Sequence, residues 1–377
     1  MTRLLILSFS NLSTDARLLR QIDAFAATHE VITAGWGPAP AGSSRHIVLP
    51  QPPTGTTRRA RMLVESALLR LRAYRLIHET SPLHRAARRT LRGVHADIVL
   101  ANDIDAAPLA YDLVPARRVH VDLHEYFPGL HDDNPAWARL RGPYNAWLVR
   151  RYAAPAGSTT TVAPEIAERY SSLGLSPGVV TNASRHRDLP VRAVSRPIRL
   201  VHSGVALQGR HLETMIDAVA MSSADIVLTL HLMPNDAAYI DRLRARASEI
   251  GPRVRILPPV PQVELVDTLA GHDVGIHILP ATSTNHRLAL PNKFFDFIQA
   301  RLGVIVGPTA AMAGATERYG FGAVADGFSV EDVVKVLDAL TAAEVAEWKV
   351  NADRASLDLS SERQIEGWTA AIERLQA

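Results

Sequence analysis

The chain has 377 residues, 47% of them hydrophobic and 21% charged, with a formal net charge of +3 from 41 basic and 38 acidic side chains. That length exceeds one ordinary core, so two domains are expected, and the absence of cysteine excludes disulfide staples, thiolate metal sites, iron–sulfur clusters and a cysteine nucleophile. A cysteine-free chain suits a reducing cytoplasm; the first apolar run covers only residues 4–7, and nothing approaches the roughly 18 apolar residues of a membrane span, so neither a signal peptide nor a spanning helix is expected.

Residues 3–9 form an apolar run that closes on Ser10 and Asn11. Helical spacing at Ala16, Leu18, Leu19, Ile22 and Phe25 follows, then a second run at 30–34. Strand, helix, strand is the reading. Residues 37–57 are rich in Pro, Gly, Ser and Thr around a short strand at 46–49. The stretch 58–93 has the spacing of two amphipathic helices divided near Ser81 and Pro82. Strands at 97–101 and 119–123 with a helix at 106–111 between them continue the alternation. The polar, aperiodic stretch 182–197 reads as the linker region. Beyond it strands at 198–203, 226–232, 254–257, 274–279 and 304–306 alternate with helices at 211–220, 237–249, 263–269 and 292–301. A last helix is expected over 361–376, with Ile365, Trp368, Ile372 and Leu375 on one side. The pattern predicts two tandem Rossmann-like α/β domains, each a parallel sheet with helices on both faces. Ligands in such sheets lie beyond the carboxyl ends of the strands.

The near-neutral charge hides a division. Residues 1–190 carry 23 Arg against 16 Asp and Glu, whereas 191–377 carry 18 basic and 22 acidic side chains. Ten arginines between Arg58 and Arg92 face only Glu65 and Glu79, which marks a contact surface or a solvated helical face. Nucleic acid is not the expected partner, because no recognised module accompanies the charge.

The chain contains neither G-x-G-x-x-G after the first strand nor a P-loop, H-E-x-x-H or G-x-S-x-G motif. Three constellations remain. Gly204, Gly209 and Arg210 lie in a strand-to-helix turn whose free N–H groups suit a diphosphate, or whose glycines only solve backbone geometry. Pro291, Asn292 and Lys293 open a helix, and a cation in the first turn opposes the helix dipole unless an anion offsets it. Lys293 is one of three lysines beside 38 arginines, and Asp296 follows where it can accept from ribose hydroxyls. His120, Asp122 and His124 alternate along a strand end. They read as a metal site, as a structural cluster, or as an exit where His124 donates to a substrate oxygen and Glu125 orients it.

These residues together resemble retaining glycosyltransferases of the GT-B fold, glycosyltransferase family 4. Asp15, Arg17 and Gln21 resemble that group's D-x-R-x-x-x-E/Q helix start, and Asn102, Asp103, Pro108 and Leu109 resemble its H-x-H/N-D-x-x-x-x-P-L stretch. Asp122, His124, Glu125 and Phe127 are similar to Y-D-x-H-E-x-F. Gly204, Gly209, Arg210, Leu212 and Glu213 resemble G-x-x-x-x-G-R-G-L-E, and residues 290–296 with Gly303 resemble the L-P-N-K subgroup. Val205 and Gln208 stand where many members carry basic residues, and Leu288 and Asp296 where a glutamate pair is familiar.

The resemblance implies two Rossmann-like domains around a central cleft: an acceptor domain at 1–185, a linker at 186–197, a donor domain at 198–358, and a helix at 359–377 crossing back to the first domain. It implies transfer of a sugar from a UDP- or GDP-sugar with retention and without metal or cofactor. By the same resemblance His124, Arg210 and Lys293 are catalytic, and Gly204, Gly209, Pro291, Asn292, Asp296 and Val260 hold the donor. Asn11, Asp15, Asp103 and Glu125 meet the acceptor, which is a lipid-linked, saccharide or small-molecule group. The basic segment 58–92, extended by Trp137 to Arg151, then rests on an anionic membrane, giving a peripheral location at its inner face. A sugar-nucleotide 2-epimerase and a catalytically silent scaffold are the competing readings.

Overall fold

β1 (Arg3–Asn11) carries Leu4, Leu5, Ile6 and Leu7, all fully buried. A continuous apolar run of this kind is what a strand covered on both faces requires. The computed structural model describes residues 1–52 and 54–376. Among them, β1 is joined by β2 (Glu30–Trp36), β3 (Arg45–Val48), β4 (Ile98–Asn102), β5 (Val119–Leu123), β6 (Ser158–Thr161) and β7 (Gly178–Val179). They form one parallel sheet in the order β3-β2-β1-β4-β5-β6-β7.

A second parallel sheet contains β8 (Ile198–Val205), β9 (Ile226–Met233), β10 (Val254–Leu257), β11 (Val274–His277), β12 (Gly303–Val306) and β13 (Gly322–Val324), in the order β10-β9-β8-β11-β12-β13. Both sheets reverse direction of winding next to their first strand, between β1 and β4 and between β8 and β11. Those reversals are the places where doubly wound sheets open a crevice for ligands.

The chain divides into two units. One comprises Met1–Thr181, Ser283–Asn285 and Ile365–Ala377, and the other Asn182–Thr282 and His286–Gln364. The core of the first joins Leu4, Ile6, Leu18, Ile22, Ile98 and Leu100 to Trp368, Ile372 and Leu375 of the last helix, Ser361–Gln376. In the second, residues 182–197 have no helix or strand. They are nonetheless tied down, with the Arg187 N–H donating to Gln299 Oε1 at 3.1 Å and the Ser195 N–H to the Asp273 carboxylate at 3.3 Å.

Where two helices were expected over 58–93, three are present: Gly55–Arg70, Tyr74–Glu79 and Pro82–Thr90. Arg72 adopts a left-handed φ of 54° and ends the first of them, a break that apolar spacing does not encode. The short strands β6 and β13, and the helices Ala310–Tyr319, Val330–Asp338 and Ala342–Ala355, also escape the periodicity reading.

Candidate functional site

In the second unit, a cavity of about 250 Å³ lies at the carboxyl ends of β8 and β9 and the start of the helix Asn292–Gln299. It brings together Gly204, Arg210, Val260, Pro291, Asn292, Lys293 and Asp296 from segments far apart in sequence. Of the residues expected in this unit, Gly209 is not on its wall. An added Cβ at Gly209 would meet nothing within 4 Å, and its backbone is not left-handed. Ser203, His231, Met233, Pro259, Gln262 and Leu265 line the cavity as well. The sequence carried no separate signal for them beyond their position at strand ends, in the 258–261 loop and on the helix Gln262–Leu269 that follows it.

The helix that carries Lys293 begins after Pro291, whose missing N–H costs nothing at a helix start. Every residue from Lys293 to Gln299 is buried. Gly275 in β11 permits this close seating, because a Cβ there would lie 2.2 Å from Phe297 Cγ. Lys293 is therefore drawn inward until it is only 8% exposed. Its Nζ donates to His202 Nε2 at 3.3 Å. Burial first, then the nearby Arg210 guanidinium, lower the Lys293 pKa to about 7 against the opposing pull of Asp296. Gly204 supplies the space: its φ of 153° is a conformation that residues with a side chain rarely adopt, and a Cβ on it would lie 2.5 Å from Lys293 Nζ. Asp296 accepts from the Ser184 hydroxyl.

Two histidines stand behind the lysine. His202 ends the apolar part of β8 and is fully buried, and its Nδ1–H donates to the Ile276 carbonyl at 2.8 Å. His277, at the end of β11, stacks against it with ring centroids 5.5 Å apart and neither ring nitrogen partnered. Burial, then the Lys293 charge, holds both well below the ordinary histidine pKa. Both were visible only as polar residues in apolar strands.

In the first unit, His124 Nδ1 lies 3.0 Å from Asp103 Oδ1. Burial of the half-buried ring opposes its charge, but the Asp103 carboxylate outweighs that and raises the pKa to about 9. Asp103 has a φ of 66°, an uncommon and costly conformation for a residue with a side chain. The Glu125 carbonyl accepts from the Tyr170 hydroxyl at 2.5 Å. Asp15 caps the helix Ala16–Phe25, accepting from the N–H groups of Arg17 and Leu18, and Asn11 accepts from the Ser13 hydroxyl at 2.8 Å.

The Asp15, Arg17 and Gln21 pattern has a structural use here. Arg17 reaches Asp122 with two hydrogen bonds of 2.7 Å, and Gln21 Nε2 donates to the same carboxylate at 2.7 Å. Thr160 adds a fourth donor at 2.6 Å, while His120 is engaged by Ser158 and Thr160. Burial would raise the Asp122 pKa, but Arg17 holds it below the usual carboxylate range. Asp122 and His120 are thus committed to a buried network. Among the described residues no group of three or more His, Asp or Glu is placed to hold a metal.

The helix Gly55–Arg70 buries only Leu69 and leaves Met62, Leu63 and Val64 exposed beside Arg58 and Arg59. Among the described residues no helix is long and apolar enough to cross a membrane.

No protein-family model and no curated protein sequence matches the chain. Solved structures do. Anabaena HepE in complex with UDP matches with a TM-score of 0.68 at 14% identity, covering 99% of this chain and 100% of that one; HepE has also been solved with UDP and glucose. The α,α-trehalose 6-phosphate synthase of Burkholderia multivorans matches at 0.69 and 10% identity, with 100% and 99% covered. Sucrose-phosphate synthase of Thermosynechococcus elongatus matches at 0.69 and 11%, with 100% and 99% covered. The chain has the GT-B fold. At these identities the likeness carries the fold, and function must be argued from the site.

Proposed function

We propose that this chain is a glycosyltransferase that moves a sugar from a UDP- or GDP-sugar to an acceptor, with retention of configuration and without a metal ion. The observation that carries the reading is the meeting of Lys293, Arg210 and Asp296 in one cavity beside the β8–β11 reversal. Two cations side by side in a partly desolvated wall are unfavourable when the site is empty, and a diphosphate relieves that repulsion. The same cations would neutralise charge as the diphosphate departs, an electrostatic contribution that is commonly the largest one in catalysis. In this reading Asp296 takes the ribose hydroxyls, the backbone at Val260 meets the base, and the backbone at Pro291 and Asn292 meets the sugar or β-phosphate. His124, charged through Asp103, donates to a substrate oxygen, and Asn11, Asp15 and Glu125 belong to acceptor handling. The exposed Met62, Leu63 and Val64 beside arginines support an anionic lipid surface as a further partner.

The test is ligand-induced stabilisation. UDP or GDP at about a hundredfold over its Kd stabilises the protein by roughly 2.7 kcal/mol, read as a rise in Tm. The rise is expected without added metal and is lost in Lys293→Ala. No response to any nucleoside diphosphate overturns the proposal. Product analysis after incubation with a nucleotide sugar alone separates transfer from epimerisation, which needs no acceptor.

A further inference from the structure

The Lys293 ammonium meets His202 on β8 and interacts electrostatically with His277 on β11, Arg210 in the turn Gln208–Arg210, and Asp296 on its own helix. One of them, His202, has its ring direction and tautomer set by a backbone oxygen. A carbonyl can only accept, so the His202 Nδ1 that faces Ile276 at 2.8 Å must carry the proton. The Nε2 lone pair is then left as an acceptor, and it meets Lys293 Nζ at 3.3 Å. The ammonium also lies so near Gly204 that a single Cβ there would intrude to 2.5 Å. An ammonium has three N–H bonds; with one directed at His202, two are left for oxygens entering the cavity.

We propose that His202 is a positioning residue, which holds the Lys293 ammonium aimed at an incoming diphosphate through the hydrogen-bond chain Ile276 carbonyl, His202 ring, Lys293 Nζ. The inference rests on the reading of the cavity as a nucleoside-diphosphate site and adds to it a residue that never touches the ligand. His277 lies beside the ring, with centroids 5.5 Å apart and ring planes inclined by 30°. The neutral state of both rings, which burial enforces, keeps this chain of donors and acceptors intact.

The experiment follows Lys293 directly. The nucleotide-free protein is acylated with acetic anhydride across a pH series, and modification of Lys293 is read by mass spectrometry beside UDP affinity and Tm. His202→Phe keeps a ring but removes the acceptor. The Lys293 midpoint is expected to move to lower pH, because a hydrogen-bond partner of the charged form is lost, and UDP binding is expected to weaken about tenfold. His202→Asn, which reaches the Ile276 carbonyl but falls short of Nζ, serves the same purpose if the Phe variant does not fold. His202→Gln, whose amide oxygen reaches Nζ, is expected to restore both readouts. A folded Phe or Asn variant in which Lys293 titrates and UDP binds as in the unaltered protein overturns the inference. If the midpoint moves and returns as expected while no variant, nor the unaltered chain, binds UDP or GDP, the hold on Lys293 stands and the nucleotide reading falls.

Discussion

Lys293 and Gly204 explain each other. In a chain with 38 arginines, position 293 carries a compact ammonium, which lies 3.3 Å from His202 Nε2 and occupies space that a Cβ on residue 204 would enter. Gly204→Ala therefore does two things at once: it forces a side chain into a glycine conformation, at a cost of about 1–3 kcal/mol, and it displaces the ammonium. A lowered Tm together with loss of nucleotide-induced stabilisation is expected. Gly209→Ala meets open space and is expected to keep its unfolding free energy within about 0.5 kcal/mol of the unaltered chain. Urea titrations of both variants check the contrast, and equal destabilisation would refute it.

At the scale of elements, the helix Ala16–Phe25 shows how a motif can serve the scaffold. Asp15 caps it, and its next turns deliver Arg17 and Gln21 to the Asp122 carboxylate at the end of β5. Removing that charge leaves a buried guanidinium without its counter-ion, so Asp122→Asn is expected to cost about 3–5 kcal/mol of stability in denaturant titrations. Arg17 also lies 4.7 Å above the Trp368 ring, which joins the last helix to this network. Trp368 is 1% exposed and packs into the core of the first unit. Trp368→Ala is expected to cost about 3–5 kcal/mol, with a Tm unchanged from the unaltered chain as the contrary result.

Across the whole molecule, buried neutral histidines set the response to acid. Burial lowers His78 and His120 to about 4 in the first unit and holds His202 and His277 well below the ordinary value in the second. In the unfolded chain each binds a proton near pH 6.5, but in the folded chain only at much lower pH. Their contribution is therefore complete above about pH 6.5 and is lost as pH falls, by about 1.4 kcal/mol per pH unit for each histidine. Urea midpoints measured at a series of pH values are expected to drop steadily below that point. A flat profile would mean that these rings are protonated in the folded protein.

Much of this organisation is written in local pattern. Alternating apolar runs and helical spacings determine two parallel α/β sheets, because strand and helix periods are properties of neighbouring residues. Lys293 stood out as a rare lysine opposing a helix dipole, and Arg210 and Gly204 as members of a strand-to-helix turn. What local pattern could not contain is which distant side chains meet. That Arg17 and Gln21 are consumed by Asp122, that Gly209 lies off the cavity wall, and that His202 reaches Lys293 across 91 positions depend on strand order and on how deeply a helix is seated. Residue types and their periods, by themselves, determined the fold class and the kind of chemistry available; tertiary packing decided which of those residues are free to perform it, because desolvation and hydrogen bonding act through space rather than along the chain.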